Sequence, residues 1–89
     1  MKSVIGYVTG RVQGVGFRNF VKKKADPLNV TGYAKNLPDK RVEFVLQGEP
    51  AAVATLLQNI NRGPLFASVK SLDSEMLETD EHHQDFSIL

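Results

Sequence analysis

The 89-residue chain reads as an α+β protein, a split βαβ sandwich of the ferredoxin-like pattern. Three observations predict this. Two segments of helical period, beginning near Phe17 and Pro50, each lie between β-rich runs, in the order β-α-β-β-α-β with a short extra strand at the end. The two middle strands are joined by a tight turn, Leu37-Pro38-Asp39-Lys40. Each helical crossover returns the chain so that its flanking strands run in the same direction, with another strand between them. An antiparallel sheet of order 4-1-3-2 follows, with both helices on one face.

The elements follow in order. Val4 to Thr9 is rich in β-branched and aromatic residues and stops at Gly10, so it is the first strand. Phe17, Phe20, Val21, Ala25 and Leu28 recur at helical spacing, with Arg18, Asn19, Lys22 and Lys23 on the opposite side. Pro27 ends that helix at or before Asp26, because its ring clashes with the preceding turn and it has no N–H to donate. Val30 to Asn36 forms the second strand. Arg41 to Gln47 alternates cleanly, with Val42, Phe44 and Leu46 inward and Glu43 and Gln47 outward. Pro50 suits the first position of the second helix, where a missing N–H costs nothing. Val53, Leu56, Leu57 and Ile60 are that helix's buried stripe, and Gly63-Pro64 ends it. A fourth strand runs from Ala67 or Ser68 to Met76 or Leu77. An acidic loop over residues 78–85 then leads to the short final strand from Phe86.

Composition narrows the function. With 42% apolar and 24% charged residues the chain is globular, and its length suits one domain spanning residues 1–89. The absence of cysteine excludes disulfides, thiolate metal sites and cysteine nucleophiles. The opening Met1-Lys2-Ser3-Val4-Ile5-Gly6 has no apolar signal core, and no run approaches membrane-spanning length. A cytoplasmic protein without membrane partners, and a monomer, is the simplest expectation. Charge is lopsided: residues 1–41 hold nine Lys/Arg against two acids (+7), whereas residues 42–89 hold two Lys/Arg against eight acids (−6). The basic half draws anionic ligands. Within it, Lys22-Lys23-Lys24 reads first as a solvated helix face.

The most informative stretch lies in that half: Gly10, Arg11, Val12, Gln13, Gly14, Val15, Gly16, Phe17, Arg18. A glycine-rich loop here links a strand to a helix N-terminus, where backbone N–H groups and the helix dipole hold oxyanions. Arg18, in the helix's first turn, adds a planar cation able to grip phosphate through two hydrogen bonds. The segment from Arg11 to Arg18 is therefore the predicted phosphate-binding loop. Topology supplies a second residue. Strands 1 and 2 run the same way with strand 3 between them, so their C-terminal ends share one sheet edge about 10 Å apart. Asn36, ending strand 2, thus faces the loop that follows strand 1.

The residue types limit the chemistry. A covalent phosphatase would carry cysteine six residues before its arginine, and Val12 stands there. No His, Asp, Glu, Ser or Thr lies between Gly10 and Arg18 to act as nucleophile or base. Asp26 and Asp39 are isolated, so no carboxylate cluster offers a metal site, and His82-His83 in a polar loop reads as solvated. Positioning and charge stabilisation remain. They suffice when the leaving group departs without a proton, as a carboxylate of conjugate-acid pKa about 4 does. That points to an acyl phosphate, with no cofactor and no metal.

The chain closely resembles the acylphosphatase family. The resemblance rests on Gly10-Arg11-Val12-Gln13-Gly14-Val15-Gly16-Phe17-Arg18 and Gly32-Tyr33-Ala34-Lys35-Asn36. Val42-Glu43, Gln47-Gly48, Gly63-Pro64 and Phe86 agree as well. It implies that Arg18 and the loop amides bind the phosphoryl group while Asn36 orients the attacking water. The implied reaction is metal-free hydrolysis of an acyl phosphate, with inorganic phosphate as product and inhibitor. Three positions depart from the family pattern. Lys40 stands where a turn glycine is common and must tolerate positive φ or use another turn type. Asn29 replaces a frequent glycine, which is milder because asparagine visits the left-handed region. Pro27 shortens the first helix.

The rival readings are a non-catalytic anion-binding module and an RNA-binding module of the same topology. The RNA reading needs stacking aromatics and a glycine-aromatic motif on strand 3. Strand 3, Arg41 to Gln47, has no glycine and carries Glu43, leaving Tyr7 and Tyr33 as the only stacking candidates. The expectation is no nucleic-acid partner.

Overall fold

A computed structural model describes residues 2–89. Its elements are β1 (Lys2–Arg11), α1 (Phe17–Ala25), β2 (Thr31–Asn36), β3 (Val42–Gln47), α2 (Pro50–Arg62), β4 (Ser68–Glu78) and β5 (Phe86–Ile88), with a 3₁₀ turn over Asp26–Leu28. The sheet order is β4-β1-β3-β2-β5. The four main strands pair antiparallel in the expected 4-1-3-2 order. The fifth adds to the outer side of β2 and runs parallel to it, Gly32 opposite Phe86. Its direction is a consequence of the path: the chain reverses after β4, so β5 must run with β1 and β2.

Why these residues form these elements is largely a matter of period. The inward positions of β3, namely Val42, Phe44 and Leu46, are fully buried. They meet Val8 and Ala34 from the neighbouring strands, and Phe17, Val21, Val53, Leu56 and Ile60 from the helices. Each such side chain contributes about 1.5–3 kcal/mol by leaving water. The 3.6-residue stripes of both helices and the two-residue alternation of the strands thus converge on one layer. Pro27 acts as expected: α1 stops at Ala25, and the chain continues as a single 3₁₀ turn with proline near its start. Leu28 consequently packs on the core from that turn rather than from the helix.

The helix-free face departs from expectation at Gln47. It points outward, as the alternation requires, yet only 4% of its surface is exposed. The segment between β4 and β5 crosses over it. Gln47 Nε2 donates to Ser3 Oγ and to Glu81 O, both at 2.8 Å, and His83 N–H donates to Gln47 Oε1 at 3.0 Å. A buried amide must be satisfied, and this one is. His83 is therefore not a solvated loop residue: its ring packs edge-on against Tyr33 at 5.8 Å. Tyr33 in turn donates its hydroxyl to Glu43. Burial, reinforced by that carboxylate, pushes the Tyr33 hydroxyl well above the ordinary tyrosine range and keeps it a donor.

Both non-glycine positions singled out in the turns adopt left-handed backbone, Asn29 at φ 57° and Lys40 at φ 78°. Lys40 therefore meets the positive φ expected of it and keeps its turn. We expect Lys40→Gly to raise the unfolding free energy by about 0.5–1 kcal/mol. Left-handed backbone costs an L-residue roughly 1–2 kcal/mol, part of which glycine's greater freedom in the unfolded chain offsets. An unchanged urea midpoint would show that the turn tolerates lysine without strain.

Candidate active site

β1 ends at Arg11, with a bulge in its pairing to β4 between Thr9 and Gly10. The chain then loops back into α1. Gly14 and Gly16 both take left-handed backbone, at φ 74° and 76°. A Cβ added at either would meet nothing within 4 Å, so the requirement there is conformational rather than steric. Gly16 is the residue capping α1 and offers no side chain to its free N–H groups, and the helix's first turn holds no acidic residue. No cap side chain takes these donors, and the dipole favours negative charge there. At the other end of α1, Lys22, Lys23 and Lys24 occupy the last turn, where cations suit the dipole. Lys22 is more than a solvated charge: it donates to Phe86 O at 2.8 Å, fastening β5 to the helix.

A cavity of about 230 Å³ opens at this sheet edge, lined by Val12, Gly14, Gly16, Phe17, Arg18, Asn19 and Asn36. Two segments that are separate in sequence, the loop with α1 and the end of β2, thus form one concavity. Val12 and Phe17 are 1% and 2% exposed and make its apolar floor while belonging to the core. Asn36 reaches the same side of the sheet as α1 because it shares the inward face of β2 with the buried Ala34. Arg18 Nη1 donates to Leu89 O at 2.7 Å. That contact orients the guanidinium and leaves further N–H donors of its fork available.

Not every residue of the predicted loop lines the cavity. Arg11 ends β1 opposite Ser68 and is exposed, Val15 packs against the core, and the Gln13 side chain turns elsewhere. Asn19 and Leu89 were missed. Asn19 was legible as a neighbour of Arg18 in a helix's first turn, but no local signal ties Leu89 to a residue 71 positions away.

Asn36 is not the residue that orders its turn. Asp39 does that, accepting from Arg41 N–H at 3.1 Å and from Arg41 Nε at 2.8 Å. The Arg41 backbone N–H, with its guanidinium, holds the Asp39 carboxyl below its usual range. Backbone bonds from Leu37 N to Arg41 O and from Lys40 N to Leu37 O complete the turn. Asn36 lines the cavity.

A second cleft lacks this chemistry. An apolar cleft of about 270 Å³ at the opposite end, lined by residues such as Leu46, Val53, Leu57 and Met76, gathers no set of polar groups. Among the described residues, no three His, Asp or Glu side chains converge on a point where a metal could sit. On the helix-free face both stacking candidates are engaged. The Arg41 guanidinium lies 4.5 Å from the centre of the Tyr7 ring, and Tyr33 is held by Glu43 and His83.

Comparison with known proteins assigns this ferredoxin-like sandwich, with its cavity at one sheet edge, to a family. The family model described as Acylphosphatase matches residues 4–88. The acylphosphatase of Nitrosococcus oceani is 51% identical over 74 residues, 83% of each chain. That of Methylococcus capsulatus is 42% identical over 89 residues, covering 100% of this chain and 97% of the other. The crystal structure of acylphosphatase from Bacillus subtilis superposes with a TM-score of 0.95 at 36% identity, covering 100% of this chain and 99% of that one. The chain belongs to the acylphosphatase family, and its activity is the hydrolysis of acyl phosphates to carboxylate and phosphate.

Proposed function

We propose that residues 1–89 act as one metal-free catalytic domain in which the loop from Arg11 to Arg18 holds the phosphoryl group and Asn36 orients the attacking water. The observation that carries this reading is the shared cavity, in which Arg18, the uncapped start of α1 and Asn36 face the same space. Arg18 and the backbone N–H groups neutralise the phosphoryl oxygens as charge shifts among them. The Asn36 side-chain oxygen accepts from the water and aims its lone pair at phosphorus. The water oxygen forms the new bond to phosphorus. The bond from phosphorus to the acyl oxygen breaks, and the carboxylate leaves with the electron pair. One water proton stays on the phosphate and the other passes to solvent. No side chain need carry a proton, because the leaving group is already stable as an anion.

Inorganic phosphate, the product, occupies the same cradle and inhibits competitively in this reading. In this reading the protein acts as a cytoplasmic monomer on a small molecule, without nucleic-acid or membrane partners; the gathering of both proposed catalytic side chains in a cavity of one chain supports the monomer. The non-catalytic and RNA-binding alternatives are not favoured, the former by the family assignment and the latter by the engaged tyrosines.

The test is direct. Purified protein should hydrolyse benzoyl phosphate without added metal, at a rate unaffected by EDTA. Turnover no faster than buffer in a folded sample would sink the catalytic reading, and loss of rate in EDTA would sink its metal-free part.

A further inference from the structure

Gln13 lies in the middle of the glycine loop, yet its side chain faces away from the cavity. Its Nε2 donates one hydrogen bond to Leu37 O at 2.8 Å and another to Arg41 O at 3.0 Å. These carbonyls stand at the two ends of the turn that follows Asn36, and they are already linked to that turn by Leu37 N→Arg41 O and Lys40 N→Leu37 O. Both partners are acceptors, so only the NH₂ end of the amide fits, and both its hydrogens are used. Loop and turn are not hydrogen-bonded strand neighbours, because β3 separates β1 from β2. Gln13 thus ties the donors around the phosphoryl group to the residue next to Asn36.

Resting on the roles assigned above to Arg18 and Asn36, we propose that Gln13 is a positioning residue. Its two hydrogen bonds set the distance between the phosphate-binding loop and the water-orienting amide. Binding of phosphate needs only the loop and Arg18. Turnover needs that loop and Asn36 in register, and small misplacements of reacting groups cost rate steeply. Loss of the tether should therefore appear in kcat and spare phosphate affinity.

Gln13→Glu is the discriminating variant, because it keeps size and shape but presents acceptors to two carbonyls. A space-filling role tolerates it; a donor role does not. We expect kcat for benzoyl phosphate to fall about 10- to 100-fold, while the inhibition constant of inorganic phosphate changes by less than about threefold. The ratio of variant to wild-type kcat should climb as pH falls toward about 4, where a protonated glutamate regains one donor. Gln13→Met, which offers neither donor nor acceptor of strength, should fall between the two. Wild-type kcat in Gln13→Glu, or phosphate affinity lost in proportion to rate, overturns the proposal.

Amide hydrogen exchange separates this idea from the function it rests on, because it requires no turnover. In the wild type, saturating inorganic phosphate should slow exchange at Leu37 and Lys40 as well as in the loop. In Gln13→Glu those turn amides should exchange about tenfold faster. Turn amides indifferent to phosphate in the wild type refute the coupling even if the variant fails to fold. Absence of benzoyl phosphate hydrolysis with the coupling intact would instead refute the catalytic reading.

Discussion

Arg18→Ala should lose phosphate binding and turnover together. We expect kcat/KM for benzoyl phosphate to fall by about 10³ or more, and the inhibition constant of inorganic phosphate to rise about 100-fold. Each charge-assisted hydrogen bond to an ion is worth about 1.5–3 kcal/mol, and the guanidinium can offer two in parallel. Removing a preorganised donor from a developing oxyanion costs a further factor in rate. The fold should survive, because Arg18 is only partly buried and its bond to Leu89 O is exposed. Arg18→Lys should recover little, since an ammonium keeps the charge but not the planar fork. Steady-state kinetics with phosphate inhibition checks all of this. An unchanged phosphate affinity in Arg18→Ala would remove the side chain from the cradle.

Asn36→Ala should behave differently. Its kcat should fall by about 10²–10³, while the inhibition constant of inorganic phosphate stays within about threefold of wild type. The reason lies in where the residue sits. Asn36 ends β2 and pairs with Val42 through its backbone, which the substitution leaves in place. Its turn is ordered by Asp39, so removing the amide does not unravel it. What disappears is the group proposed to aim the water. Equal losses of phosphate affinity in Arg18→Ala and Asn36→Ala would contradict this division of labour. Fluorescence or calorimetric titration with phosphate would reveal it without any substrate.

Much of the fold was readable because it depends on local pattern. The inward alternation Val42, Phe44, Leu46 and the helical spacing of Phe17, Val21 and Ala25 place residues on faces whatever the rest of the chain does. Pro27 and Pro50 mark helix boundaries through their own covalent geometry. The run Gly10, Gly14 and Gly16 marked a loop between strand and helix. That Arg18 and Asn36 line one cavity was readable for a different reason: topology alone brings the ends of strands 1 and 2 to one edge.

The misreadings share a physical cause. Gln47 looked solvent-facing, Lys22 looked like a free surface charge, and Gln13 looked like one more loop residue. Their partners lie 24 to 64 residues away along the chain, in Leu37, Glu81 and Phe86. In each, a backbone carbonyl is among the partner groups, which every residue carries and which leaves no mark in the identity of the partner. Such contacts exist only after the strands have paired in register and the last segment has crossed the sheet.

The chain's order of residues therefore established the sandwich, the glycine loop between strand and helix and the absence of any nucleophile in it, because these follow from periodicity, backbone freedom and side-chain chemistry. Tertiary structure decided how the loop is held: Gln13 tied to the Asn36 turn, Arg18 steadied by Leu89 O, and Lys22 pinning β5. Those bonds run to main-chain oxygens, whose positions are set by packing and not by residue type.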